Sequence, residues 1–425
     1  MKTAKKNKII ERYIEQHLPG YIVNPAPSRN LELIVVIPVY REKEYIFRTL
    51  KSLSECDNPK QDIEIILLFN APENSPAEII NEQKEVADII RTGFRPEFPS
   101  WIKIIVEEQY NIPKKHFGAG LARKAGMDIA LARLFSIDKS DGLIVTLDAD
   151  SLVTPDYFIE ILKWFDSTNG NGACIYFEHP LSGNEFADEV YSGIIKYELH
   201  LRYYMQAWRQ TGFPYAFHTM GSAMAMKALA YARIGGMPKK QAGEDFYFLQ
   251  KLIPLGNFGE INTTTVIPSP RPSNRVIFGT GAAITKYLSG SDDVYFTYNY
   301  QAFRDLKTFF SLRSELFDLN ISKFEQWSAA LPVPLRNFLL NFGFIDDLII
   351  LKNDCSNCDI FSKRFFELFN AFKVVKYLNY TRDNFLHKTP LLDAALEYLK
   401  SEGIETDNFS SEKDLLLFFR GLERV

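Results

Sequence analysis

The stretch Leu143-Ile-Val-Thr-Leu-Asp148-Ala-Asp150-Ser-Leu-Val-Thr-Pro155 decides the fold. An apolar run of strand length ends in two carboxylates one residue apart, and a helical pattern opens at Pro155. A run apolar on both faces suits a parallel strand covered by helices on both sides. The same unit repeats outward from it. Toward the N-terminus lie apolar runs at Leu31–Val39, Ile63–Phe69 and Trp101–Glu107, alternating with helical patterns over Glu44–Leu53, Pro76–Asp88 and Ala119–Phe135. Toward the C-terminus, Pro155–Phe165 reads as a helix and Gly172–Phe177 as a strand, and the polar-aromatic stretch 184–212 reads as a helix. Strands alternating with helices predict an α/β architecture with a mostly parallel sheet flanked by helices.

The two ends of the chain differ from this middle. Residues 1–18 carry Ile9, Ile10, Tyr13, Ile14 and Leu18 at near-helical spacing, and Pro19-Gly20, Pro25 and Pro27 then break the chain. Beyond about residue 290 every pattern is helical: Tyr298–Phe317, Leu335–Lys352, Phe361–Asn379, Leu391–Ser401 and Ser411–Leu422. Ser289-Gly290-Ser291 punctuates the change. An N-terminal helix and linker over 1–30, an α/β domain over 31–290 and an all-α C-terminal region over 291–425 are therefore expected.

Charge excludes some function classes. Across 425 residues, 49 Lys+Arg stand against 53 Asp+Glu, a net charge of −4. That balance gives no footprint for nucleic acid. No Gly-x-x-x-x-Gly-Lys-Ser/Thr motif supports a P-loop enzyme. No stretch reaches the roughly 18–20 apolar residues of a membrane span. Four cysteines in a chain this long form no disulfide scaffold, and Cys355-x-x-Cys358 lacks a second ligand pair for zinc. That usage fits a reducing cytoplasm.

The chemistry-bearing residues sit at predicted strand ends, where ligands of open α/β sheets bind. Asp148 and Asp150 in a non-helical turn suit a divalent cation, Mn²⁺ or Mg²⁺, bridging to a substrate phosphate. Gly243-Glu244-Asp245 opens the helical run Phe246–Leu252, and a carboxylate there can act as general base. Helix capping is the competing reading for both groups. Gly221-Ser222 and Gly235-Gly236 allow close backbone approach or mark plain turns.

Taken in order, these pieces resemble the family 2 glycosyltransferases, which have the GT-A fold. The matching segments are Val35-Val-Ile-Pro-Val-Tyr-Arg-Glu42, Gly118-Ala-Gly-Leu-Ala-Arg-Lys-Ala-Gly126, Leu147-Asp-Ala-Asp-Ser151, Gly221-Ser222, Gly235-Gly236-Met-Pro238 and Gly243-Glu-Asp245. They span roughly residues 31–275. The resemblance implies a transfer from a nucleotide-diphosphate sugar, UDP-sugar favoured and GDP-sugar possible, to a glycan or lipid-linked hydroxyl acceptor with inversion. It implies that Pro38, Tyr40 and Glu42 line the nucleotide pocket. Asn70 stands where the family often has an Asp on the base, and Arg123 falls in the family's Ala-Arg-Asn segment with Lys124 in place of Asn. Asp148 would contact ribose and metal, Asp150 the metal, Asp245 would be the base, and Glu244 would lie beside it at the acceptor.

Arg271 and Arg275, in a loop beyond Asp245, are candidate diphosphate ligands, with Phe278–Gly281 as a hinge. His179, His218 and His116 read as structural or minor. A sugar-phosphate nucleotidyltransferase would need a glycine-rich turn after the first strand, and Pro38–Glu44 has none. A non-catalytic sugar-binding relative is the other competing reading. Of the aromatics (34 Phe, 21 Tyr, 4 Trp), the Phe excess belongs largely to the helical C-terminal region. They read as a bundle core, with an acceptor groove or a peripheral membrane face as the alternatives. The expected setting is the cytoplasm, including the inner face of the membrane.

Overall fold

In the computed structural model, which describes residues 3–93, 98–240, 243–275, 278–291 and 295–424, the apolar runs become strands of one eight-stranded sheet. Its strands are β1 (Leu31–Val39), β2 (Asp62–Pro72), β3 (Ile102–Ile112), β4 (Leu143–Thr146), β5 (Leu152–Val153), β6 (Gly172–Phe177), β7 (Met224–Lys227) and β8 (Phe258–Ile267). The order is β3-β2-β1-β4-β7-β6-β8-β5. Pairings β1–β2, β2–β3, β1–β4 and β6–β8 are parallel, while β4–β7, β6–β7 and β5–β8 are antiparallel. The core strands bury both faces, as their unbroken Ile, Val and Leu content requires. The sheet is thus mostly parallel and flanked by helices, as the sequence predicts.

The helices are α1 (Thr3–His17), α2 (Ile46–Ser54), α3 (Ala77–Thr92), α4 (Ala119–Phe135), α5 (Tyr157–Thr168), α6 (Asp188–Gln210), α7 (Ala228–Arg233), α8 (Glu244–Leu252) and α9 (Thr280–Leu288). Then follow α10 (Tyr300–Ser311), α11 (Glu315–Asp318), α12 (Phe324–Ser328), α13 (Val333–Asn341), α14 (Phe344–Asn353), α15 (Cys358–Leu368), α16 (Ala371–Asn384), α17 (Leu391–Ser401) and α18 (Glu412–Glu423). Residues 1 and 2 of the expected first helix lie outside the described residues. No helix among the described residues is long and apolar enough to cross a membrane.

The chain divides into two compact units: the described residues of 1–185, 217–282 and 423–425, and those of 186–216 and 283–422. In the first unit α1 is anchored by chemistry its periodicity does not show. Tyr13 and Tyr231 donate to Asp128 Oδ1 at 2.8 and 2.6 Å, and Lys124 Nζ donates to Asp128 Oδ2 at 2.9 Å. A buried carboxylate is tolerable only when its lone pairs are satisfied in this way. Helix α4 lies directly on β1, because a Cβ at Gly126 would collide with Val36. It also reaches β2 through buried Arg133, which grips Glu64 at 2.5 and 2.7 Å.

The second unit is built on aromatic packing. Phe309 touches Phe344, Phe365 and Phe369 with ring centroids 5.3–5.6 Å apart, all edge-on. Such pairs contribute about 0.5–1.5 kcal/mol each beyond area burial. Three of the long helical patterns break in two. Tyr298–Phe317 divides at the turn 312–314, between α10 and α11. Leu335–Lys352 divides at Gly343, whose φ of 72° is left-handed. Phe361–Asn379 divides at Asn370, whose side chain accepts from Phe372 N and Lys373 N and starts α16.

Candidate active site

Strand β1 has β2 on one side and β4 on the other, so the chain order reverses between β1 and β4. Open α/β sheets bind ligands at this switch point, beyond the strand ends. The loop after β1 carries Tyr40 and Glu42, and the turn after β4 carries Asp148 and Asp150. Antiparallel pairing of β7 with β4, Thr146 against Met224, brings Gly221 to the same edge. Thr146 Oγ1 fixes it there by donating to Gly221 O at 2.7 Å. Pairing of β5 with the end of β8, Leu152 against Ile267, ties the Asp148–Asp150 turn to the root of the loop holding Arg271.

Two polar clusters result. In one, Arg123 donates Nη2 to Asp148 Oδ1 at 2.6 Å and Nη1 to Glu244 Oε1. Arg123 is 5% exposed. Burial pulls its pKa down, but Asp148, Glu244 and Asp245 more than offset this, and the net shift is upward. Glycine is required opposite it, since a Cβ at Gly221 would stand 2.6–2.8 Å from the guanidinium. Helix α8 starts at Gly243 in a left-handed conformation, φ 69°. Glu244 faces inward, 4% exposed. Asp245 accepts from Phe246 N at 2.8 Å through Oδ1, and its Oδ2 accepts no hydrogen bond among the described residues. Burial raises the pKa of both carboxyls against the pull of Arg123.

In the other cluster, Arg271 donates Nε to Asp150 Oδ2 at 2.6 Å and Nη2 to both Glu42 oxygens at 2.8 and 2.7 Å. Its guanidinium stacks on Tyr45, 4.3 Å from the ring centre. Arg275 Nη2 lies 2.8 Å from Glu42 Oε1, and Nη1 donates to Tyr40 O. Burial pushes Asp150 up to about 6; Arg271 opposes the shift, and Asp148 and Glu42 add to it. Loop 268–275 is therefore fastened across the carboxylates by two arginines that the sequence reading assigns to phosphate. Of the hinge expected at Phe278–Gly281, Thr280 and Gly281 already belong to α9.

Pro38 lies within β1, paired with Leu68, and Asn70 lies two residues before the end of β2 at 2% exposure. Neither bonds to the two clusters. Their neighbourhood is fixed by Gln83, which periodicity does not single out. It is 2% exposed on α3, donates to Asn70 O at 2.6 Å and accepts from Arg41 N at 3.2 Å. Arg41 needs that hold, since its φ of 59° is left-handed for a side-chain-bearing residue. Thr49 likewise escapes the sequence reading; its hydroxyl donates to Ala149 O at 2.8 Å and steadies the Asp148–Asp150 turn. Each residue announces itself only as a polar side chain on an apolar helix stripe. His218 pairs with Glu423 at 3.1 Å and His179 with Thr280 at 3.2 Å.

The donor set suits a hard divalent cation. Asp148 Oδ2 and Asp150 Oδ1 accept no hydrogen bond among the described residues, and buried Ser151 Oγ has no partner there. No group of three or more His, Cys, Asp or Glu placed to hold an ion occurs among those residues.

Residues 34–230 match the family described as Glycosyl transferase family 2. No curated protein matches. Among solved structures, S. aureus TarS 1–349 in complex with UDP-GlcNAc aligns at 13% identity, over 80% of this chain and 91% of that one, with a TM-score of 0.39. The mannosyltransferase PcManGT from Pyrobaculum calidifontis, in complex with GDP-Man and Mn²⁺, aligns at 14% identity over 99% and 94%, with a TM-score of 0.35. GalNAc-T7 with UDP, GalNAc and Mn²⁺ aligns at 13% over 81% and 58%, with a TM-score of 0.37.

Proposed function

Residues 34–230 are a glycosyltransferase domain of family 2, and from that premise we propose a metal-dependent, inverting transfer from a nucleoside-diphosphate sugar to a hydroxyl of a glycan or lipid-linked acceptor. The donor is a UDP-sugar before a GDP-sugar. One observation carries the reading: Arg123 joins the Asp148–Asp150 turn at the switch point to the start of α8, where Asp245 keeps one carboxylate oxygen uncommitted.

Asp148 and Asp150 would hold Mn²⁺ or Mg²⁺ through their uncommitted oxygens. Bound there, the ion would neutralise charge on the leaving diphosphate. Two protein ligands are a normal complement for an ion whose other ligands are phosphate and water. Asp245 Oδ2 takes the acceptor's hydroxyl proton. The acceptor oxygen forms its bond to the anomeric carbon as the bond from that carbon to the phosphate oxygen breaks, and the electron pair leaves on the diphosphate. A carboxyl raised by burial is the stronger base for this task. Glu244 orients Arg123, which in turn orients Asp148. Arg271 and Arg275 bind the diphosphate after exchanging Asp150 and Glu42 for phosphate oxygens.

The test is thermal shift against UDP- and GDP-sugars with and without Mn²⁺, followed by mass spectrometry of any product. Metal-dependent stabilisation by one donor together with a glycosylated product supports the proposal. Stabilisation without nucleotide release from any donor would leave a binding module instead.

A further inference from the structure

Helices α1 and α7 of the first unit enclose a groove of about 630 Å³, separate from the residues assigned to donor and metal. Its charged lining is entirely cationic, Lys8, Arg12 and Arg233, with His17 beside them. Lys8 and Arg12 are one helical turn apart on α1, and Arg233 ends α7 on the facing wall. Lys8, Arg12 and Arg233 are exposed, and none of the three forms an ion pair among the described residues. Asp128, the buried carboxylate beneath, is already committed to Lys124, Tyr13 and Tyr231. The groove therefore gathers positive side chains on a chain whose net charge is −4.

We propose that this groove is a binding site for a phosphate-bearing anion, held by Lys8, Arg12 and Arg233. Two arginines and a lysine lining one groove offer planar forks and a point charge, the donor set that phosphate oxygens accept. Ile9 and Ala232 supply apolar lining beside the cations, which suits the phosphate of a lipid head group as well as a free phosphate. His17 also lines the groove, and burial lowers its pKa, with Lys124 adding to this and Asp128 opposing it.

The test uses the full chain and three proteins: wild type, the groove triple Lys8→Gln/Arg12→Gln/Arg233→Gln, and a control triple Lys251→Gln/Lys323→Gln/Lys363→Gln that removes the same charge elsewhere. Thermal shift with inorganic phosphate at constant ionic strength reads anion binding. Flotation with vesicles of phosphatidylglycerol in phosphatidylcholine, against phosphatidylcholine alone, reads head-group binding. The expected result is stabilisation by phosphate in wild type and control, weakened at least tenfold in the groove triple, whose melting temperature without phosphate is unchanged. Phosphatidylglycerol-dependent flotation lost in the groove triple assigns a lipid head group; phosphate binding without flotation assigns the free anion. Wild-type binding by the groove triple, equal losses in both triples, or no response of wild type to either probe overturns the proposal.

Discussion

The two units use opposite chemistry to fix their shapes. Around the ends of β1 and β4 the first unit sets charges against one another: Arg123 between Asp148 and Glu244, Arg271 between Asp150 and Glu42. The second unit packs phenylalanine on phenylalanine, with Phe309, Phe365 and Phe369 all 0% exposed. A lattice of charges can change partners when an anionic ligand arrives, because every contact is an exchangeable hydrogen bond. A close-packed aromatic core has no such alternative and answers substitution with lost stability. Function and stability should therefore separate between the units.

The largest effect is expected at Asp245. Asp245→Asn should lower turnover about 10²–10⁴-fold and leave the melting temperature near wild type; equal losses of turnover and stability would erase the contrast. Phe309→Ala should act in the reverse sense, destabilising by about 3–5 kcal/mol in denaturant unfolding. Gly221→Ala, which drives a methyl into Arg123, should weaken metal-dependent donor binding about 10–100-fold, roughly 1.4–2.7 kcal/mol, read by calorimetry with the fold intact. Arg271→Ala should tighten Mn²⁺ binding several-fold, because Asp150 loses its internal cation, while lowering turnover. Weaker Mn²⁺ binding in that variant would mean that Arg271 supports the ion site instead of competing with it.

The smallest effect is a pH dependence in the second unit. Burial, and Lys388 after it, push His200 down to about 4. The unfolded chain takes up this proton near pH 6.5 and the folded chain only near 4. Stability from this group is thus complete above pH 6.5 and is lost as pH falls toward 4. His200→Gln should flatten the melting temperature across that interval, and an unchanged slope would assign the acid sensitivity to other groups.

Legibility in the sequence follows the same division. The core strands could be read because parallel strands buried on both faces are apolar throughout, as at Leu31–Val39. Strand β7 could not, since Met224-Ala-Met-Lys is defined by its antiparallel neighbours and not by its own pattern. Strand β8 pairs in parallel with β6 but escapes because Asn262-Thr-Thr-Thr265 interrupts its apolar run. Asp148, Asp150 and Asp245 were legible as carboxylates at strand and helix ends. That Arg123 and Arg271 tie those carboxylates together was not, because contacts over 121 residues leave no local trace. Gln83 and Thr49 were silent because a single polar residue on an apolar helix face has no spacing to betray it. The aromatic run of the second unit gave away its helices and left its job unstated.

The central claim is that the charge lattice binds donor while Asp245 alone takes the proton. It is tested most directly by measuring, on one donor with Mn²⁺, both the affinity and the rate of nucleoside-diphosphate release for wild type and Asp245→Asn. The account predicts equal affinity in the two proteins and release only by wild type. Release at the wild-type rate by Asp245→Asn, or donor binding that collapses together with turnover, would contradict it.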